Sequence, residues 1–247
     1  MRFERRADEH RSERSRASGS ALKLSASKRA STKHASVART AAVDLRPPAA
    51  VAALVAAVFV VFGPALSGEF LHWDDDKNFL VHERWRGLGF EQLRWMFTTT
   101  HMGPYQPLTW LSWACDNALF GLDAQAFHRT NIALHALATL AVFALARSLF
   151  AITCAESGST RRTWSAALAA LLFALHPLRC ESVCWITERR DVLSGLFFAV
   201  CICAWLRWTT RRSRAGYVLS VVCALLSLLS KASAIVLPAL LLVLDVW

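Results

Sequence analysis

No Cys-x-x-Cys pair occurs among the seven cysteines of this chain, and seven is an odd number. The usual zinc spacings and a paired disulfide framework therefore have no support. Cys115, Cys154, Cys180, Cys184, Cys201, Cys203 and Cys223 lie mostly in or beside apolar runs, where they read as small buried hydrophobes. A second lack is at the amino terminus. Residues 1–46 have almost no large apolar side chains and, beyond Phe3, no aromatics interleaved with their arginines and serines. Such a segment cannot bury a core and is expected to be disordered. With Phe3 as its one aromatic it does not read as a nucleic-acid arm, which would interleave stacking rings with its cations. Glu4, Asp8, Glu9 and Glu13 count against a mitochondrial transit peptide, and no small-x-small cleavage site follows the apolar block as a secretory signal would require. Charge is the third lack: residues 48–66 carry none.

What is present is hydrophobic surface in blocks. Apolar residues make up 55% of the chain, above the roughly 45–50% of soluble proteins. Residues 48–66 as a helix would span roughly 28 Å, close to a bilayer core. Further apolar runs cover 132–150, 164–175, 192–206, 216–230 and 232–247. The expectation is an all-α polytopic membrane protein with about six transmembrane helices. The net charge of +10 resides mainly in the tail, where 12 Lys/Arg face 5 Asp/Glu within residues 1–46. Alternating sides places the tail, the Arg161-Arg162 loop and the basic 207–214 loop together. The positive-inside rule makes that side cytoplasmic. The acid-containing loops then face outside, in a bacterial periplasm or, in a eukaryote, the lumen of the endoplasmic reticulum. The first outer loop, 67–128, holds five of the ten tryptophans, and its stretches 90–97 and 108–120 read as short amphipathic helices in the interface. The domain reading is a basic cytoplasmic tail over 1–46 and a transmembrane domain over 47–247. The sixth run reaches the last residue, so the sequence reads as the amino-terminal part of a longer protein.

Three constellations could carry chemistry. Asp74, Asp75 and Asp76 directly follow the first span. Adjacent carboxylates disfavour each other's ionisation, so one could act as a general base. They could also ligate a divalent metal or simply form a solvated cap. The second runs from His176 through Arg179 and Glu181 to Arg189 and Asp191. Guanidinium forks suit phosphate, while a loop of mutual ion pairs is the plain alternative. The third is Lys231, alone between two apolar runs, either a functional intramembrane charge or a snorkelling side chain. His128 and His135, on helix faces, read first as packing residues. A single aspartate cluster does not suit a magnesium-dependent prenyltransferase, which has two. No inverted repeat suggests a transporter.

In order along the chain, Phe70-Leu71-His72-Trp73-Asp74-Asp75, Tyr105-Gln106-Pro107-Leu108-Thr109, Gly121-Leu122-Asp123, Phe127-His128, Asn131, Leu134-His135, His176-Pro177, Glu181, Val183, Arg189, Asp191, Leu193 and Lys231 form a recognisable series. It resembles the membrane part of the TMTC-like proteins, which carry transmembrane helices and tetratricopeptide repeats and are related to the protein O-mannosyltransferases of the GT-C superfamily. The resemblance covers about residues 60–247. It implies a GT-C-like helical bundle, present in part, that transfers a sugar from a polyprenyl-phosphate donor to a protein hydroxyl. It implies Asp74 as base with Asp75 as its neighbour, and Arg189, Lys231, His176 and Arg179 toward the donor phosphate. Tyr105, His128, Glu181 and Asp191 take structural or acceptor-side places. The implied partners are membrane lipids, a lipid-linked sugar and a protein acceptor, with no nucleic acid; phosphate-binding cations disfavour a divalent metal without excluding it. Gln106 stands where the family commonly has arginine. A non-catalytic membrane anchor or scaffold is the alternative.

Overall fold

The computed structural model describes residues 48–246; the basic tail expected to be disordered lies outside them. Among the described residues every regular element is helical. Helix α1 (Pro48–Phe62) tightens into a 3-10 turn at Gly63–Ser67. A π-helical turn (Asp76–Leu80), α2 (Phe90–Thr98) and α3 (Pro107–Phe120) make up the first long connection. Next come α4 (Ala124–Thr153), α5 (Ser159–Ala174), the short α6 (Arg179–Cys184) and a 3-10 turn at Ile186–Glu188. The turn leads into α7 (Arg189–Arg211), followed by α8 (Arg214–Ser230), a 3-10 turn at Ala232–Val236 and α9 (Leu237–Val246).

The packing is inside-out relative to a soluble bundle. In α8 the buried positions are Gly216, Ser220, Cys223, Ser227 and Ser230, a stripe of small residues at helical spacing. Its large apolar residues, among them Val218, Leu219, Val222 and Leu225, point away from the bundle and are exposed. A helix in water would reverse this; in a bilayer small residues let helices approach, and polar ones bond across the gap. Ser227 Oγ donates to the Ser194 carbonyl at 2.9 Å, and Cys201 Sγ lies 3.3 Å from Ser220 Oγ. Helix α1 buries Ala50, Leu54, Val58 and Phe62 on one face and exposes Phe59, Val60 and Val61 on the other. The protein is an all-helical membrane protein.

Three segments are long and apolar enough to cross a bilayer: Pro48–Ser67, Ala124–Thr153 and Ile186–Arg211. The other three expected spans form helices in the expected order, but α5, α8 and α9 have only 16, 17 and 10 residues. The second span is longer than the apolar run 132–150. It starts at Ala124, where the Asp123 carboxylate caps the helix by accepting from the Gln125 amide at 3.0 Å. His128, Asn131 and His135 dilute its hydropathy but lie on its buried face. Pro238 delays the last helix to Leu237, where proline sits in the first turn and needs no amide partner.

The first connection differs from an interfacial belt. Its helices form as expected, but Trp85, Trp110 and Trp113 are fully buried. They build a separate aromatic core with Phe79, Met96, Phe127 and Ile186. Ring centroids lie 4.8 Å apart for Phe79–Trp113 and 4.9 Å for Trp110–Trp113, both edge-to-face. Most of the indoles therefore hold the connection together rather than anchor it at a water–lipid boundary.

The α7–α8 hairpin depends on Gly216. A Cβ there would lie 3.0 Å from the Ala204 carbonyl oxygen and 3.1 Å from the Trp208 amide nitrogen, both backbone atoms that cannot swing aside. Gly216→Val should force the helices apart and cost about 1–3 kcal/mol, read as a lowered unfolding midpoint in detergent. The same change at Gly63, which has open space around its Cβ position, is the control.

Candidate functional site

The three aspartates leave the first turn on different sides. Asp75 is completely buried. Its Oδ1 accepts from the Thr187 amide at 3.0 Å and from the Thr187 hydroxyl at 2.5 Å. Its Oδ2 accepts from the Leu71 amide at 3.1 Å. Asn78 donates in turn to the Thr187 hydroxyl at 3.3 Å, so the π-helical turn and the 3-10 turn before α7 clamp one carboxyl. Asp76 turns back on its own chain, with Oδ1 accepting from the Lys77 amide at 2.7 Å. The Asp74 side chain is half-buried and takes no part in these bonds.

Arg189 occupies the interior. It has no exposed surface and pairs with Asp116 Oδ2 at 2.6 Å. Its Nε donates to Asn131 Oδ1 at 2.6 Å and its Nη2 to the Phe127 carbonyl at 2.9 Å. Nη1 also reaches Ser112 Oγ at 3.2 Å. One guanidinium thus joins α3, α4 and α7, and this geometry places its donors on protein groups.

Lys231 stands at the end of α8 and reaches across to the start of α7. Its ammonium bonds Asp191 and lies 3.5 Å from Glu188 Oε2, while Arg190 bonds the other Glu188 oxygen. The side chain keeps about a third of its surface exposed. The Thr109 hydroxyl donates to the Ser230 carbonyl at 3.2 Å, tying α3 to the same corner.

The remaining expected residues lie around this centre. His128 is buried near Gly68, where a Cβ would come within 2.9 Å of its Nε2. His176 and Glu181 are exposed, and Arg179 lies over the Phe173 ring at 4.6 Å. Tyr105 is exposed and donates to the Phe97 carbonyl at 3.1 Å. The structure gathers Asp75, Asp191 and Lys231 around residues 187–191; Tyr105 and Arg179 have other partners. Thr187, Asn78 and Asp116 were not singled out from the sequence, because uncharged or lone polar residues inside helical patterns give no signal until their partners are known. Among the described residues no three His, Cys, Asp or Glu side chains are gathered as a metal set. Cys180 and Cys184 do meet, with sulfurs 3.8 Å apart.

Comparison with known proteins agrees with the ordered series of residues. Over 174 residues the chain is 33% identical to the human protein named protein O-mannosyl-transferase TMTC1, covering 66% of this chain and 18% of that protein. Over 154 residues it is 32% identical to protein O-mannosyl-transferase tmtc2 of Xenopus laevis, covering 61% and 17%. The chain is a relative of the TMTC protein O-mannosyl-transferases. Human TMTC2 matches over a longer stretch of 195 residues, at 29% identity, covering 74% of this chain and 22% of that protein. The TMTC-like chain therefore spans about a fifth of the length of these relatives. No family model and no solved structure matches it.

Two consequences of this geometry are measurable. Burial is the main influence on Asp75 and raises its carboxyl above the usual range, against the pull of its Thr187 and Leu71 donors. An acid raised on folding favours the folded state when protonated. Stability then falls as pH climbs from the ordinary carboxyl value, about 3.9, through the folded value. Wild-type protein should lose unfolding midpoint relative to Asp75→Asn across that window; parallel pH profiles for the two would contradict this assignment. Asp116→Ala strands the Arg189 charge in the interior and should cost about 3–5 kcal/mol. Denaturant unfolding should show a smaller loss when Arg189→Met is added.

Proposed function

We infer that this chain contributes part of a membrane glycosyltransferase site, which moves a sugar from a polyprenyl-phosphate donor to a protein hydroxyl. The observation that carries the reading is the division of labour between adjacent carboxylates. Asp75 is fixed on three donors and cannot move. Asp74, next to it, is half-buried with its carboxylate uncommitted. A rigid neighbour and an available acceptor are what a positioned general base requires. The names of the relatives support the reaction class.

In this reading Asp74 takes the proton of the acceptor hydroxyl. The hydroxyl oxygen bonds to the anomeric carbon as the bond from that carbon to the phosphate oxygen breaks. The leaving prenyl phosphate keeps the electron pair, and one displacement inverts the anomeric centre. Lys231, still partly exposed, serves the phosphate together with His176 and Arg179 at the surface of the connection between α5 and α7. Arg189 holds α3, α4 and α7 in register. Both connections lie on the non-cytoplasmic side, with the basic tail in the cytoplasm and the chain crossing repeatedly.

A second reading, a non-catalytic membrane scaffold, is favoured by one observation. Lys231 and Arg190 are already balanced by Asp191 and Glu188, so their charges need no ligand. Transfer assays separate the two. With membranes carrying the protein, Asp74→Asn should lower mannose transfer from a prenyl-phosphate donor to an acceptor peptide by about 10²–10⁴-fold, with protein levels unchanged. Undiminished transfer by the Asp74→Asn, Asp75→Asn double variant would leave the scaffold reading.

A further inference from the structure

Trp85, Trp95, Trp110 and Trp113 belong to the aromatic core of the first connection. Trp73 does not. It is 70% exposed, and among the described residues no ring stacks on it. Trp185, at the end of α6, likewise has no ring against it. Its backbone is fixed, with the amide donating to the Glu181 carbonyl at 3.2 Å and the carbonyl accepting from Asn131 at 3.4 Å. Between these indoles is a cleft of about 470 Å³ walled by Leu71, His72, Trp73 and Trp185. That volume falls within the range of small-molecule sites, roughly 300–1,000 Å³.

The cleft adjoins Asp75 through its Leu71 wall. The amide of Leu71, one of its walls, donates to Asp75 Oδ2 at 3.1 Å. Trp73 directly precedes Asp74. The Trp185 side chain is a minor, lowering influence on the Asp75 carboxyl, set against the larger effect of burial.

We propose that this cleft is a sugar subsite, with a pyranose ring against the indoles of Trp73 and Trp185 and its hydroxyls toward His72 and Asp74. The proposal rests on the transferase reading above and deepens it. A pyranose has an apolar C–H face and a polar rim. The electron-rich face of an indole attracts the C–H side. The His72 imidazole in the wall, and the carboxylate that follows Trp73 in the chain, match the hydroxyls, which both donate and accept. A hydrocarbon chain would satisfy the indoles but leave those polar groups against an apolar ligand, which is unfavourable. The competing occupant is the bilayer itself, since tryptophan also settles at the water–lipid boundary.

Protein labelled with 5-fluorotryptophan and held in lipid nanodiscs tests this. Trp73→Phe and Trp185→Phe assign the two fluorine resonances. A short-chain prenyl phosphate mannose should shift both resonances saturably, and the same prenyl phosphate without the sugar should leave both in place. Trp73→Ala should weaken binding of the mannosylated probe tenfold or more, and Trp73→Tyr should restore most of it. Equal shifts with both probes would give the cleft to the prenyl chain. Broadening of the Trp73 resonance by a spin-labelled phospholipid would make that side chain a bilayer anchor. Silence with both probes would also overturn the proposal. If Asp74→Asn abolishes transfer while neither resonance moves, the subsite falls and the transferase reading stands. If transfer survives in the double aspartate variant while both resonances move, the subsite stands and the transferase reading falls.

Discussion

The buried Arg189–Asp116 pair is the constraint around which this bundle is arranged. A guanidinium without water needs a counter-charge and partners for its five N–H groups. Asp116 from α3 supplies the charge, and Asn131, the Phe127 carbonyl and Ser112 supply acceptors. The partners come from two stretches of chain, α3 and α4, so satisfying one side chain fixes where the first connection, α4 and α7 meet. Moving any of them leaves a charge or a polar group unsatisfied in the interior, where that is most expensive. The pair need not add net stability to serve this purpose. It restricts which arrangement of apolar helices is tolerable.

The same constraint explains how residues 187–189 serve three separate tasks. Successive side chains near a helix start point about 100° apart. Thr187 therefore faces Asp75, Glu188 faces Lys231 and Arg190, and Arg189 faces the interior. A segment held on three sides has little freedom, and Asp75 inherits that rigidity through Thr187. The small-residue stripe of α8 completes the frame. Gly216, Ser220 and Ser227 let α8 lie close against α7, which brings Lys231 within reach of Asp191.

Much of this was legible in the sequence. Charge at the edges of apolar runs marked Asp75, Asp191 and Lys231, and the structure joins them through the start of α7. The helices of the first connection followed from amphipathic spacing. The place of Arg189 did not, because its partners Asp116 and Asn131 sit inside helical patterns far upstream, where a lone polar residue looks incidental. The aromatic core was hidden for a related reason. Composition shows how many indoles a segment has but not whether they meet one another or the bilayer. Edge-to-face packing of Trp110 on Trp113 and of Phe79 on Trp113 is a three-dimensional fact. Hydropathy also misplaced the start of α4, since it penalises His128, Asn131 and His135 although their side chains are buried.

The contrast between Asp74 and Asp75 gives the row of aspartates its meaning. Equivalent carboxylates side by side would share protons, and neither would have a defined role. Burial and three donors remove that equivalence by fixing Asp75 in place. Asp76 is diverted to its neighbour's amide. What remains is one carboxylate, Asp74, on a backbone held by the next residue and directly following Trp73 in the chain. The rigidity originates in the interior with Arg189, passes along the chain to Thr187, and reaches the buried Asp75 beside Asp74. A reacting group placed there keeps its position without committing its own oxygens to the fold, which is the condition a base needs to act on a ligand.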